Sequence, residues 1–470
     1  MTDTLMVGVS GVRGIVGKDL TEDVVARYAA AFGQWAKARR PLVVVGRDAR
    51  ESGPAFERAV AEGLGVAGCA VVGVGVAPTP TIQLAVEHHG AGGGIAITAS
   101  HNPIEWNALK FIGPDGIFLD GPDGKHVQEL AAKDGGGGGR GRAGEIAKDD
   151  GAIERHLAAV LRLAAVDVEA IRKRGFMVAL DAVRGAGGPA MRTLLERLGC
   201  RVTGINLETD GRFPRAPEPV PENLGELGGL VRRSGADVGI AVDPDVDRLA
   251  IVDETGGPIG EDYTLAFAVR AVLGGQTVRR LDVRDPLTVY PSNRLSVVCN
   301  LSTSLVVGDA ARDCGAEVVR TPVGEVHVAR AILRLGAAIG GEGNGGVMYP
   351  ALHVGRDAPV AAALLLTLLA REGRRVSELV GAAPRYVIVK AKAPRGAALE
   401  PAYAALRRRF ADAEVDTQDG LRLAWPNRWL HVRPSNTEPI IRLIAEAPSD
   451  PEARELVDEG RRLCAAPITA

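Results

Sequence analysis

Short runs of small and β-branched residues alternate with longer stretches whose apolar side chains return every three or four positions, a pattern that predicts strands and helices in turn. One arrangement occurs three times: a strand, a turn containing Asp or Asn, a helical stretch, then Gly-x-x-Val entering a second strand. The first copy runs from Leu42-Val43-Val44-Val45-Gly46-Arg47-Asp48 through a helix over 55–64 to Gly68-Cys69-Ala70-Val71. The second runs from Phe176-Met177-Val178-Ala179-Leu180-Asp181 through 189–198 to Gly199-Cys200-Arg201-Val202. The third runs from Ser296-Val297-Val298-Cys299-Asn300 through 306–314 to Gly315-Ala316-Glu317-Val318.

Each copy is followed by another small apolar strand that empties into an unusual loop. Residues 92–98 lead into Ser100-His101-Asn102-Pro103, and 237–242 lead into Asp243-Pro244-Asp245-Val246-Asp247-Arg248. Residues 337–340 lead into Gly341-Glu342-Gly343-Asn344-Gly345-Gly346. Three loops in one relative position predict three related α/β units facing a shared cleft, because open α/β sheets bind ligands outside the carboxyl ends of their strands. Beyond Arg375 the pattern changes to strands over 386–391, 420–424 and 429–432 and a helix over 399–410, an α+β reading for a smaller fourth unit. The expected domains are 1–147, 148–256, 257–374 and 375–470.

A length of 470 residues exceeds what one core supports and fits three or four domains. No apolar run reaches the ~20 residues of a membrane span. The 56 basic and 58 acidic side chains nearly cancel without a long basic tract, so neither a nucleic-acid surface nor a membrane partner is expected. Five scattered cysteines and no signal-like N-terminus predict reduced thiols in a cytoplasmic protein. The glycines 135–139 and the stretch from Gly274-Gly275 to Pro291 read as surface excursions.

Ser100 lies beside a histidine and an asparagine, and a hydroxyl so placed is either a nucleophile or phosphate carrier, or part of a polar turn ended by Pro103. Asp243, Asp245 and Asp247 alternate after a strand, so a bent loop converges three hard oxygen ligands suited to Mg²⁺ or Ca²⁺. Glu254 stands at the twelfth position of an EF-hand spacing, but Arg248 replaces the glycine needed at the sixth. The remaining alternative is a solvated acidic turn. Arg433, Ser435, Asn436 and Thr437 gather a forked cation, hydroxyls, an amide and backbone donors, a set matched to a phosphate dianion. Glu342 and Asn344 offer acceptors and a donor for sugar hydroxyls, or shape a structural turn.

These loops, in this order and across the whole chain, resemble the four signature loops of the α-D-phosphohexomutase superfamily. The resemblance implies four domains around a central cleft: three related α/β units with mixed sheets and a smaller α+β C-terminal domain. It implies interconversion of hexose 1- and 6-phosphates, with Ser100 as phosphoserine and Asp243, Asp245 and Asp247 holding Mg²⁺ together with the serine phosphate. It further implies that Glu342, Asn344 and Gly324 meet the sugar and that Arg433, Ser435, Asn436 and Thr437 hold the non-reacting phosphate. Residues 8–14 are similar to the family's N-terminal loop, whose arginine is Arg13 here. Lys110 matches a lysine assigned to acid–base work, against the alternative of a surface lysine. His101 and Arg248 complete the implied catalytic set, with hexose 1,6-bisphosphate as intermediate and activator.

Departures from the family pattern bear on the substrate. Asn344 and Gly346 stand where many relatives carry Ser and His, Leu305 stands where a basic residue is expected, and Glu325 replaces a histidine. The sugar loop and the Arg433–Pro439 segment look most like the phosphoglucosamine mutase branch, and an acidic Glu325 would favour an amino sugar by charge. A phosphomannomutase/phosphoglucomutase, a silent sugar-phosphate sensor and a metal-dependent phosphatase are the alternatives. A monomer or homodimer binding a small sugar phosphate is expected.

Overall fold

The computed structural model describes residues 5–8, 10–133, 146–274, 295–395, 399–435 and 440–465. The three sequence repeats each build the centre of a sheet. Strand Leu42–Arg47 lies between the parallel strands Ala70–Val76 and Gly93–Ile97. Met177–Asp181 lies likewise between Arg201–Ile205 and Val238–Val242, and Ser296–Asn300 between Glu317–Thr321 and Ile339–Glu342. The glycine at the head of each Gly-x-x-Val explains the repeat. Gly68, Gly199 and Gly315 adopt φ of 77°, 85° and 72°, left-handed turns that end the helix and start the next strand without the steric cost of a Cβ.

In all three units the third strand then turns back through a hairpin onto an antiparallel fourth: Trp106–Ile112, Leu249–Val252 and Gly346–Met348. The sheets are therefore mixed, and the serine, aspartate and glycine-rich loops are the three equivalent hairpin connections. In the first unit the sheet widens to seven strands as Met6–Gly8, Gly11–Ile15 and Ile146–Lys148 join it.

Burial joins the units unequally. Side chains from Leu157 to Leu379 form one continuous core beneath the second and third sheets, crossed by the helix Ala358–Glu372, which is buried along most of its length. The first unit has its own core around Phe32, Ile95 and Phe111, and the fourth has another around Leu406, Leu430 and Leu443. The fourth unit is a five-stranded antiparallel sheet, from Val387–Pro394 to Ile440–Ala447, backed by helices Glu400–Arg409 and Asp450–Ala465. The strands Glu414–Asp416 and Ile440–Ala447 and the last helix are additions to the elements expected from sequence. The cysteines are free thiols, and among the described residues no helix is long and apolar enough to cross a membrane.

Candidate active site

The serine loop takes its shape from a charged pair that no motif announced. Asp48, at the end of the first repeat strand, accepts from Thr98 Oγ1 at 2.6 Å and pairs with Arg50 at 3.1 Å. The Arg50 guanidinium donates to the carbonyls of Ser100, Asn102, Pro103 and Trp106 at 2.6–2.8 Å, so three main-chain acceptors of the loop and one at the head of the return strand converge on one rigid fork. Ser100 is held at φ 48°, an unfavourable conformation for a residue with a Cβ, of the kind that accumulates at functional sites. Its hydroxyl donates to Asp243 Oδ2 at 2.7 Å, across the boundary between the first and second units.

Asp243, Asp245 and Asp247 are all buried, and one oxygen from each lies within 4.8 Å of the others. Asp243 is bonded through both oxygens, and Asp245 and Asp247 through one each. Asp243 Oδ1 accepts from the backbone N–H groups of Asp247 and Arg248, Asp245 Oδ2 accepts from Lys110 Nζ at 2.7 Å and Thr79 Oγ1 at 2.9 Å, and Asp247 Oδ2 accepts from Arg356 at 2.5 Å. The opposite oxygens, Asp245 Oδ1 and Asp247 Oδ1, are buried without a hydrogen-bond partner. Buried anionic oxygens without a hydrogen bond, Asp247 Oδ1 with Arg248 Nε 3.8 Å away, fit a hard divalent cation beside the serine hydroxyl, since a buried anion short of partners is costly. The flanking strands, and a Glu254 that accepts from Ser377 instead of turning to the loop, rule out the EF-hand alternative.

Burial pushes Asp243 well above the usual carboxylate range, and the Asp247 and Asp245 charges push it further. Burial also opposes ionisation of Asp245, but Lys110, Asp243 and Thr79 together bring it below that range. Lys110 is no surface lysine. Burial alone would lower its pKa, yet Asp245 and Asp247 outweigh burial and the net shift is upward, so it stands in the site as a cation. His101 is pushed down to about 2, first by Arg248 and then by burial, and is a neutral imidazole with Nδ1 3.5 Å from Ser100 Oγ. Arg13 donates to Asn102 Oδ1 at 3.0 Å, and its pKa is lowered by burial and then by Arg248 and Arg442, a cation from the fourth unit. Arg248 reaches Glu218 at 3.3 Å.

The sugar-loop residues meet as well. Glu342 accepts from Asn300 at 2.8 Å, and from Gly324 N, Asn344 Nδ2 and Arg356 Nη1 at 3.3 Å each. Glu325 is not the free acidic group that an ammonium-bearing sugar would seek by charge alone, because Arg356 Nε lies 2.9 Å from its carboxylate. In the fourth unit Arg433 is buried and paired with Asp419 at 2.9 Å, and buried Ser435 donates its backbone N–H to Ile440 O. Asn436 and Thr437 lie outside the described residues. Sequence reasoning missed Arg50, Thr79, Glu218 and Arg356, whose partners are supplied by other units or distant turns. A faint signal was available in Asp48-Ala49-Arg50, which follows a predicted apolar strand, and in Arg356-Asp357, which precedes the apolar run from Ala358.

Comparison with known proteins gives the family and the fold. Residues 4–136, 154–257 and 286–386 match phosphoglucomutase/phosphomannomutase alpha/beta/alpha domains I, II and III, and 386–463 match the C-terminal domain of the same family. The chain is 39% identical to a phosphoglucomutase/phosphomannomutase of Thermococcus kodakarensis, over 97% of both chains. It is 38% identical to a probable phosphoglucosamine mutase of Methanopyrus kandleri, over 96% of both. The crystal structure of a putative phosphomannomutase from Thermus thermophilus superposes with a TM-score of 0.80 at 26% identity, covering 99% of this chain and 100% of the other. Four domain matches in order and two relatives spanning nearly the full length make the chain a member of the α-D-phosphohexomutase superfamily, and thus an isomerase.

Proposed function

We propose that the chain is a cytoplasmic phosphoglucosamine mutase that interconverts glucosamine 6-phosphate and glucosamine 1-phosphate through phosphorylated Ser100. The observation that carries the reading is the 2.7 Å bond from Ser100 Oγ to Asp243, beside the two aspartate oxygens without a hydrogen bond. In the forward direction the bond from phosphorus to Ser100 Oγ breaks as a bond forms to the free sugar hydroxyl, whose proton ends on Ser100 Oγ. The resulting hexosamine 1,6-bisphosphate reorients, and its other phosphate returns to Ser100. Little covalent work falls on the protein, so rate depends on positioning and on charge around the moving phosphoryl group.

Asp243, Asp245 and Asp247 would hold Mg²⁺, which bound there supplies charge neutralisation to the serine phosphate. Lys110, Arg13 and Arg248 bring further positive charge, and the Arg50 cage keeps the serine oxygen in place. Arg433, Ser435, Asn436 and Thr437 are assigned to the non-reacting phosphate, and Glu342, Asn344 and Gly324 to the sugar. The amino-sugar assignment is supported by the Gly-Glu-Gly-Asn-Gly-Gly loop and by the Methanopyrus relative, whereas the Thermococcus relative favours glucose or mannose phosphates.

Coupled assays of the purified protein with Mg²⁺ on glucosamine, glucose and mannose phosphates decide between these substrates. The expected result is the highest kcat/KM on glucosamine phosphate. Higher values on glucose or mannose phosphate would reassign the substrate, and net release of inorganic phosphate would reassign the reaction to a phosphatase.

A further inference from the structure

Arg356, which belongs to none of the four signature loops, joins two of them. It precedes the buried helix Ala358–Glu372 and is itself 7% exposed. Nη2 donates to Asp247 Oδ2 at 2.5 Å, Nη1 donates to Glu342 Oε2 at 3.3 Å, and Nε lies 2.9 Å from Glu325 Oε2. One planar guanidinium thus spans the aspartate loop of the second unit and two acidic positions of the third, a reach that a lysine's single nitrogen does not reproduce. The sugar loop is shaped to admit it. A Cβ at Gly346 would lie 2.3 Å from Arg356 Cδ and 2.8 Å from Cγ, so the missing side chain there is the space the arginine stem fills.

The neighbouring residue anchors the clamp. Asp357 Oδ2 bonds the Nε2 atoms of His156 and His353 at 2.9 Å each, and Oδ1 caps the following helix by accepting from Val360 N. His156 Nδ1 continues to Thr81 Oγ1 at 2.8 Å. Thr81 shares the helix Thr79–His89 with Thr79, whose hydroxyl donates to Asp245. A buried circuit therefore leaves the aspartate loop at Asp245, passes through all three α/β units, and returns to it at Asp247 through Arg356.

We propose that Arg356 is a positioning residue which holds the aspartate loop and the sugar loop in one register, so that cation binding and sugar binding depend on the same side chain. The identity of the sugar rests on the mutase reading above, but the clamp rests on the contacts alone. Two variants test it, Arg356→Lys, which keeps the charge but not the fork, and Gly346→Ala, whose methyl displaces the arginine stem without touching its chemistry. The full-length variants are first compared with the parent by circular dichroism and thermal melting. Mg²⁺ affinity is then measured by calorimetry with MgCl₂ alone, and kcat and KM are measured separately for each sugar phosphate.

Arg356→Lys is expected to weaken Mg²⁺ binding by about 10–100-fold, the usual cost of losing a group that orients a metal ligand, and to raise KM for the sugar phosphate as well. Gly346→Ala is expected to move both quantities in the same direction, and it carries the test alone if Arg356→Lys does not fold. A folded variant whose Mg²⁺ affinity stays within about twofold of the parent overturns the proposal. A parent chain that binds Mg²⁺ yet isomerises none of the sugar phosphates would instead overturn the mutase reading and leave the clamp to be judged on calorimetry.

Discussion

Two buried arginines support the site in different ways. Arg50 spends its guanidinium chiefly on main-chain carbonyls, those of Ser100, Asn102 and Pro103 in the serine loop and of Trp106 at the head of the return strand, with Asp48 as a carboxylate partner. Arg356 lies among carboxylates, Asp247, Glu325 and Glu342. Carbonyls keep the same dipole whatever ligand arrives, so the Arg50 cage fixes a shape. Carboxylates on separate loops repel one another and draw in any added cation, so Arg356 fixes two charged loops against each other. Its own pKa is raised well above the ordinary value, burial opposing and Asp247, Glu325 and Glu342 outweighing it. The pair shows one residue type holding the main chain of one loop in one case and the carboxylates of two loops in register in the other.

The largest effect expected concerns the atom that the cage positions. Ser100→Ala is predicted to lower turnover at least about a thousandfold with the fold intact, because no other group in the loop substitutes for a covalent carrier. Rate assays beside a melting curve check it, and substantial residual mutase activity would remove the carrier role. Arg50→Met is next. It strands four carbonyls and a buried carboxylate, and a loss of about 3–5 kcal/mol in denaturant unfolding is expected, the range for breaking a buried ion pair. An unchanged midpoint would show that the serine loop holds its own shape and would erase the contrast with Arg356.

Asp245→Asn probes the charged side of the comparison. It is predicted to raise the Mg²⁺ concentration for half-maximal rate by about 10–100-fold, and an unaltered metal titration would place the ion elsewhere. The last test extends the contrast to a carboxylate neither arginine reaches. Asp262 accepts from Ser304 N at 2.8 Å, and burial, aided by the Glu446 and Glu261 charges, pushes its pKa up to about 8. An acid raised on folding contributes stability that is present below its unfolded pKa and lost as pH rises through the folded one. The parent should therefore lose up to about 1.4 kcal/mol of stability per pH unit between roughly pH 4 and 8 relative to Asp262→Asn, measured by urea unfolding across that window. Parallel pH profiles for the two chains would contradict this assignment.

The legible parts of the molecule were local in sequence. Gly68, Gly199 and Gly315 marked helix ends because only a residue without a Cβ turns cheaply there, and the alternating aspartates showed themselves by their spacing. The return strands after each loop were hidden because Trp106–Ile112, Leu249–Val252 and Gly346–Met348 are stabilised by antiparallel pairing to a preceding strand and not by a pattern of their own. Arg50 and Arg356 were hidden for another reason. Their partners Ser100 and Asp247 are 50 and 109 residues away, and no periodicity connects positions that meet only after the units pack. Lys110 was legible as a residue but not in its state, since its charge is set by Asp245 and Asp247 from the neighbouring unit.

The central claim is that Ser100 carries the phosphoryl group. Incubating the purified protein with glucose 1,6-bisphosphate and Mg²⁺, then mapping phosphate by tandem mass spectrometry, tests it most directly. The account predicts one phosphoryl group on Ser100 in the parent chain and none in Ser100→Ala. An active parent enzyme that carries no phosphate at Ser100 under these conditions would contradict it.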